Sequence, residues 1–447
     1  MTLRKRYYIW LTKAYVKKWK KTIFWSIGIG AAVFFLVGLL LNLYVFPLIQ
    51  KRVQKIGYWG TYTASTISDT ILKDVSYGLT KIDNSGKITQ GAAYKWSVQD
   101  NGKKYTFFLR KNQYFHNGDE LTAENIPINF KDVTTKAIDK YTIELSLNNP
   151  YSPFLSTVSK PLILESEYGL GDYKIKKIQL NAGFVKSLEL QNKKERDRKK
   201  IIFFYPTQNA LKIAYALGEV DTALGLSDTN IEESNFKNWN NTLISTTIDY
   251  SELVSIFYNN VSGELSNKKL RQALNYALPE KFSAGERAYS PIPPISIYFS
   301  KSPNYGISDI SIAQSLISEA PDFNKQIELT TTQEYEQSAK EVQDAWKKIG
   351  INTKIKIVTD FPKKFEVFLY SYKVPADPDQ YTLWHSSQEN NITNYKSLRI
   401  DKLLEDGRST TDFEKRISFY SDFQKYLIDD VPASFLYFPN KYTLIRK

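Results

Sequence analysis

The chain is 447 residues long and carries 60 Lys and Arg against 47 Asp and Glu, a formal charge of +13, with no cysteine and only two histidines. That composition excludes disulfides, thiolate metal sites, a cysteine nucleophile and lipid attachment through an N-terminal cysteine, and it leaves a histidine-based metal centre only if His116 and His385 converge with carboxylates. The first 52 residues hold ten of the basic residues and no acidic one, so the remaining 50 Lys and Arg face 47 Asp and Glu; the excess reads as a topology signal, not as a basic patch for nucleic acid, and no nucleic-acid partner is expected.

Residues 22–50 form the longest run without a charge, preceded by Arg4, Lys5, Arg6, Lys13, Lys17, Lys18, Lys20 and Lys21 and followed by Lys51, Arg52 and Lys55. A helix needs roughly 20 apolar residues to cross a hydrocarbon core of about 30 Å. Residues 23–46 supply them with length left for tilt, and Pro47 is a natural stop. The basic excess ahead of the run predicts a cytoplasmic segment over residues 1–21, one transmembrane helix contacting the lipid bilayer over 22–50, and a domain beyond it in a periplasm or on the cell surface. The alternative, a cleaved signal peptide, asks for an apolar region of roughly 7–15 residues and a small-residue cleavage site. Leu43, Tyr44, Val45 and Phe46 are bulky where that site would lie, which favours a retained anchor. Gly28, Gly30 and Gly38 either pack against a partner helix or are tolerated in lipid. Tyr7, Tyr8, Trp10, Tyr15 and Trp19, interleaved with lysines, make either an interfacial helix or a frayed basic tail.

Residues 55–80 open on an apolar stretch with Gly57, Tyr58, Trp59 and Gly60 and then read as a helical turn reaching Gly78. Turn clusters at 83–86 and 99–102 flank β-prone runs at 94–98 and 105–109. Residues 140–147 alternate as a strand, and 199–205 form an apolar strand followed by Pro206. The basic run at 193–200 lies between two strands and reads as a solvated turn. Residues 209–216 are helical and stop at Gly218; 251–258 are strand and 268–278 an amphipathic helix. Beyond a Pro-rich loop at 290–294, helices are expected at 311–319, 334–349, 402–405 and 413–427, with strands at 326–331, 352–359 and 433–437. This is the pattern of an α/β domain whose sheet is covered by helices.

Catalytic signatures are scarce. No His-Glu-x-x-His, Gly-x-Ser-x-Gly or Walker A spacing occurs. His116 sits between Phe115 and the tight turn Asn117-Gly118, a structural setting, and His385 beside Trp384 suits packing or binding. Asp377 and Asp379 flank Pro378, where carboxylates usually turn and cap the chain. No catalytic residue, metal or cofactor is expected, and the chain does not read as an enzyme.

More is carried by the order of several segments. Residues 105–125 read as a strand, a tight turn at Asn117 and Gly118, and a helix start with Thr122 and Glu124 near its N-terminus. Upstream lie Tyr77-Gly78-Leu79-Thr80 and Gly91-Ala92-Ala93-Tyr94-Lys95-Trp96, and downstream Ala216-Leu217-Gly218-Glu219-Val220-Asp221. Residues 267–277, 346–351, Asp377-Pro378-Asp379-Gln380-Tyr381 and Ile400-Asp401-Lys402-Leu403-Leu404 complete the series. In this order they resemble the family 5 extracellular solute-binding proteins, the oligopeptide and dipeptide receptors of ABC importers, over nearly all of residues 55–440.

The resemblance implies an α/β, bilobal periplasmic-binding-protein-like fold (type II, cluster C), with a small extra subdomain, preceded here by one N-terminal transmembrane helix. Lobe I would comprise 53–82, 168–258 and 432–447, its small subdomain 83–167, and lobe II 259–431. It also implies a solute-binding component that takes peptides or other small solutes in a cleft between lobes and delivers them to ABC permease subunits. A tethered sensory or interaction module without transport is the alternative. Many relatives carry Trp-x-x-Asp-Tyr shortly before the Asp-Pro pair, the Asp holding a peptide ammonium. Here that acidic position falls on Val374 or Pro375, and Tyr372 takes the tryptophan's place. Either Asp377 substitutes, or the ligand has no free amine there. By position, the expected ligand-binding residues are Tyr62 and Thr63 after the first strand, and Tyr372, Asp377, Tyr381, Trp384, Asn391 and Tyr395 around the ligand-contacting segment, with Tyr and Trp offering rigid area and a polar edge.

Overall fold

The computed structural model describes residues 2–41, 43, 53–261, 263–301, 308–319, 323 and 326–447. The stop expected at Pro47 and the connection to residue 53 lie outside the described residues. Helix α1 (Thr2–Lys18) leads through Trp19 into α2 (Lys20–Leu40), and none of the residues of α2 is buried. The 21 residues of α2 have a mean hydropathy of 2.4 over the most apolar window, and at 1.5 Å per residue span about 30 Å. Such a helix, apolar on every side, gains nothing from water and needs a lipid or protein environment. Along α1 the aromatic and basic positions of the sequence do not separate onto two faces.

Twelve strands form one large sheet. In chain order they are β1 (Val53–Trp59), β2 (Tyr173–Asn181), β3 (Phe184–Asn192), β4 (Lys199–Tyr205), β5 (Thr222–Leu226), β6 (Thr242–Ile248), β7 (Glu252–Tyr258), β8 (Gly285–Arg287), β9 (Gln326–Thr332), β10 (Asn352–Val358), β11 (Val367–Lys373) and β12 (Ala433–Arg446). Their order is β10-β9-β11-β7-β12-β5-β1-β4-β3-β2, with β6 and β8 also on β12. The 14-residue β12 is the spine. Its first half pairs with β7 and β8, its second half with β6 and β5. Two extended crossings therefore join the halves of the sheet. One is residues 249–251 between β6 and β7, where Asp249 N donates to Pro439 O at 2.9 Å; the other is β12 itself near Pro439 and Asn440.

The sequence places the lobe boundaries at 258/259 and 431/432; β7 pairs along its whole length with β11, and residues 433–437 pair with β7. Apolar side chains pack on both faces of the β7–β11 half, one face under α4 (Lys268–Tyr276), α5 (Ile310–Ser318) and α6 (Glu336–Lys347), the other under α7 (Leu398–Ser409) and α8 (Phe413–Asp430). On the β1–β4 half, α3 (Gln208–Leu217) lies so close over β1 that a Cβ at Gly57 would sit 2.3 Å from Leu211 Cδ1. Local chemistry delimits α3: Thr207 accepts from Ala210 N at 3.1 Å, and Gly218 closes the helix in the left-handed region.

A separate four-stranded sheet, residues 93–99, 104–109, 142–147 and 133–139 in spatial order, carries its own core around Tyr105, Phe107 and Phe154. The helix expected to start at Thr122 does not form. Residues 123–125 make a turn closed by Asn125, whose Oδ1 accepts from Thr122 N at 2.8 Å. Pro127 keeps Ile126 out of the helical region and stops any continuation. Nor did the sequence pattern announce β5 and β6, and it made β12 and α7 too short.

His116 is the link between this small sheet and residues 169–171. Its Nδ1 accepts from Gly169 N at 3.1 Å, and its Nε2 lies 3.0 Å from Gly171 O. An accepting Nδ1 requires the neutral ring, and burial, foremost, lowers the proton affinity of the ring below the ordinary 6.5. The folded pKa being depressed, the contribution of His116 is present above about pH 6.5 and lost as pH falls through that value toward its folded pKa. Urea midpoints measured between pH 7.5 and 5 are expected to fall, and His116→Asn to flatten that slope; an unchanged slope would show that the ring is not holding the loop.

Candidate functional site

The end of the β9–β11–β7 sheet from which the crossings leave gathers charge. Glu252 opens β7 directly opposite Lys373, the last residue of β11. Its carboxylate lies 3.4 Å from Lys373 Nζ and 3.2 Å from Lys441 Nζ, and accepts from the Tyr335 hydroxyl at 3.2 Å. Burial opposes its ionisation, but the two lysines outweigh burial and hold it below the usual carboxylate range. Lys441 stands in β12 just beyond the crossing, so this ion cluster joins the two halves of the sheet. Glu334 follows β9 in the turn Gln333–Tyr335. Glu334 is exposed as a residue, but crowding of its carboxyl by neighbouring groups, and then the charge of Glu252, push that carboxyl upward, and among the described contacts it has no hydrogen-bond or ion-pair partner.

The 374–380 segment follows β11. Val374 is buried. Asp377 is held bidentately by Arg416, Oδ1 to Nη2 at 2.6 Å and Oδ2 to Nη1 at 2.9 Å, with side-chain exposures of 12% and 7%. Burial works against the guanidinium charge, and Asp377 more than restores it. Asp379 pairs with Arg408 Nε at 3.0 Å, and the Arg408 guanidinium lies over the Tyr381 ring at 4.2 Å. A small cavity of about 120 Å³ runs between this segment, Tyr250 and Ser251 of the crossing, the Ile292–Ser296 loop and the Asp83–Gly86 turn. That turn approaches so closely that a Cβ on Gly86, already at φ 80°, would stand 2.9 Å from Ala376 O.

The remaining expected residues fall into two groups. Tyr62 packs on Phe204 with ring centroids 5.1 Å apart, and Thr63 binds Thr66 within a tight turn; among the described contacts neither touches the second group. In that group, Tyr372 and Trp384 face one apolar cavity of about 200 Å³ with Phe257 and Ile392, and the buried Tyr372 hydroxyl lacks a partner among the described residues. Trp384 Nε1 donates to Gln380 Oε1 at 2.9 Å, and Tyr381 stacks on His385 at 4.2 Å. Asn391 turns inward, Nδ2 to Tyr395 O at 2.7 Å, and the Tyr395 hydroxyl bonds Asp430. Sequence reasoning passed over Glu252, Glu334, Lys441 and Arg416. Nothing local marks them, since Glu252 and Lys441 meet only through the register of β6, β7 and β12.

Residues 87–135 and 125–394 match the family model of the bacterial extracellular solute-binding proteins, family 5 Middle. Over 470 aligned residues the chain is 25% identical to the oligopeptide-binding protein AppA of Bacillus subtilis, covering 86% of this chain and 84% of that one. It is 24% identical over 473 residues to di/tripeptide-binding protein 1 of Pseudomonas aeruginosa, covering 86% and 87%. Among solved structures, the ABC transporter substrate binding protein CtaP of Listeria monocytogenes superposes with a TM-score of 0.74 at 21% identity, over 88% of this chain and 94% of that one. The fold is thus mixed α/β and periplasmic-binding-protein-like, with one apolar helix ahead of it consistent with a single N-terminal span.

Proposed function

This chain belongs to the family 5 bacterial extracellular solute-binding proteins, and we propose that it is the membrane-anchored, extracytoplasmic receptor of an ABC importer, taking peptides between two lobes and passing them to a permease. Its relatives are binding proteins, named for oligopeptides and for di- and tripeptides. The observation that carries the reading is the double crossing. Two sheet halves between which, among the described residues, the main chain passes only at residues 249–251 and in β12 can open and close as rigid bodies, and a solute that touches both holds them closed. The lobes accordingly divide near residues 250 and 440, with the small sheet as the subdomain of the first. The apolar, unburied α2 supports the anchor.

The solute's ammonium needs a carboxylate, and Asp377 is already neutralised by Arg416. Glu334, partnerless at the crossing end of the sheet, takes that role. Calorimetry on the full-length chain in detergent, with matched free-amine and N-acetylated peptides, tests both points. A charge-assisted hydrogen bond contributes about 1.5–3 kcal/mol, so Glu334→Gln is expected to weaken free-amine peptides by roughly 10- to 100-fold and to leave acetylated ones unchanged. With its folded pKa raised, Glu334 loses its charge on acidification starting above the ordinary value of 4.5, so wild-type affinity for free-amine peptides should begin to fall there and the variant's should not. Failure of every peptide to bind removes the peptide reading, and mass spectrometry of co-purifying material then identifies the solute. Co-purification with a permease tests delivery.

A further inference from the structure

A third cavity, of about 360 Å³, lies on the seam between the small subdomain and the second lobe, within the range of small-molecule sites. Ile88, Val98, Tyr105 and Leu155 line it from the subdomain, and Tyr298 and Phe413 from the lobe. Its only buried charges, Arg416 and Asp377, neutralise one another. Arg416 also spends Nε on Gly407 O at 2.9 Å and Nη1 on the Tyr298 hydroxyl at 3.1 Å. Four of the five guanidinium N–H donors are thus occupied, while its face meets the rings of Tyr298 and Tyr420 at 5.2 and 5.3 Å. Lys87, the other charged residue of the lining, is exposed to solvent. A chamber walled by rings and branched aliphatic groups, with no free charge inside, selects a flat uncharged guest. The direct seam contacts include Ile297 N to Ser85 O at 3.1 Å, Ser152 N to Arg408 O at 2.8 Å and the Ser152 hydroxyl to Thr410 O. Because the walls come from two bodies, a guest is gripped in full only when they are together.

We propose that this seam chamber receives an uncharged aromatic side chain of the bound solute, and that filling it holds the small subdomain against the second lobe. The proposal rests on the solute-binding reading, and it deepens that reading by assigning a specificity pocket. Calorimetry on the full-length chain in detergent uses tripeptides differing only in a central Ala, Leu, Phe or Trp, with N-acetyltryptophanamide as a separate probe. The Phe and Trp peptides are expected to bind at least tenfold more tightly than the Ala peptide. Leu155→Trp and Thr411→Trp, filling the chamber from opposite walls, should each erase that preference. Equal wild-type affinities, or a preference that survives both variants, would overturn the proposal. Should no tripeptide bind, the peptide reading fails by itself and N-acetyltryptophanamide decides on the chamber: binding that both variants abolish supports it, and no binding overturns it.

Discussion

Asp377→Ala is expected to destabilise the folded protein by about 3–5 kcal/mol, the cost of leaving a buried charge without its partner. Arg416 is 7% exposed in its side chain, and Asp377 supplies two of its charge-assisted bonds, at 2.6 and 2.9 Å. The Gly407 carbonyl and Tyr298 hydroxyl that remain bring no negative charge. The pair stands between α8 and the segment after β11, so the strain falls on the packing of α7 and α8 over the sheet. Removing both charges is a different matter: Asp377→Leu with Arg416→Met is expected to recover most of the loss, because apolar groups of similar volume replace a buried pair at little cost. Urea midpoints of the single and the double variant against the wild type check this. A single-variant loss under about 1 kcal/mol would mean that water reaches the guanidinium, and the buried-pair account would fall.

Arg271→Met is expected to cost about 3 kcal/mol or more, through orphaned carbonyls. The Arg271 guanidinium donates to Val431 O and Leu265 O at 2.8 Å, to Ser266 O at 3.1 Å and to Asp430 O at 2.8 Å. Helix α8 does not end on a glycine. Val431 takes the left-handed position at φ 47°, a strained choice for a β-branched residue. The cation of α4 satisfies the carbonyls at that end and meets the negative pole of the helix. Arg271→Lys should recover less than half the loss, since one ammonium cannot reproduce the planar fork. Thermal unfolding compares the two, and equal melting temperatures for Lys and Arg would show that charge alone matters there.

Much of the fold was legible because it is written at short range. The stop at Gly218, and the strand–helix–strand passage through β9, α6 and β10, follow from side-chain periodicity and terminal chemistry. The length of β12 did not, because Pro439 reads as a stop where it is a crossing, and residues 440–446 lack an apolar alternation. β6 is a mostly exposed strand whose only sheet partner is β12, and it carries little hydrophobic pattern. The site was legible in part: Tyr372 and Trp384 do share a cavity, and Asp377 does turn the chain, accepting from Asp379 N at 3.0 Å, while its ion pair was not legible because the partner lies 39 positions away. Glu334 gains its character from its tertiary surroundings, desolvation first and then the charge of Glu252.

The placing of β12 has a consequence for how the chain acquires its structure. It is central in the sheet yet follows every other strand in chain order. Neither half of the sheet can be completed until these 14 residues arrive, and their pairings with β5 and β6 span roughly two hundred residues of sequence. Contacts of such separation form late. A chain whose residues beyond α2 crossed a membrane in sequence order would stay slack and pliable until its last strand had passed through. Its capture of solute would then begin only after translocation had ended, so that locking of the fold is itself the sign that delivery is complete.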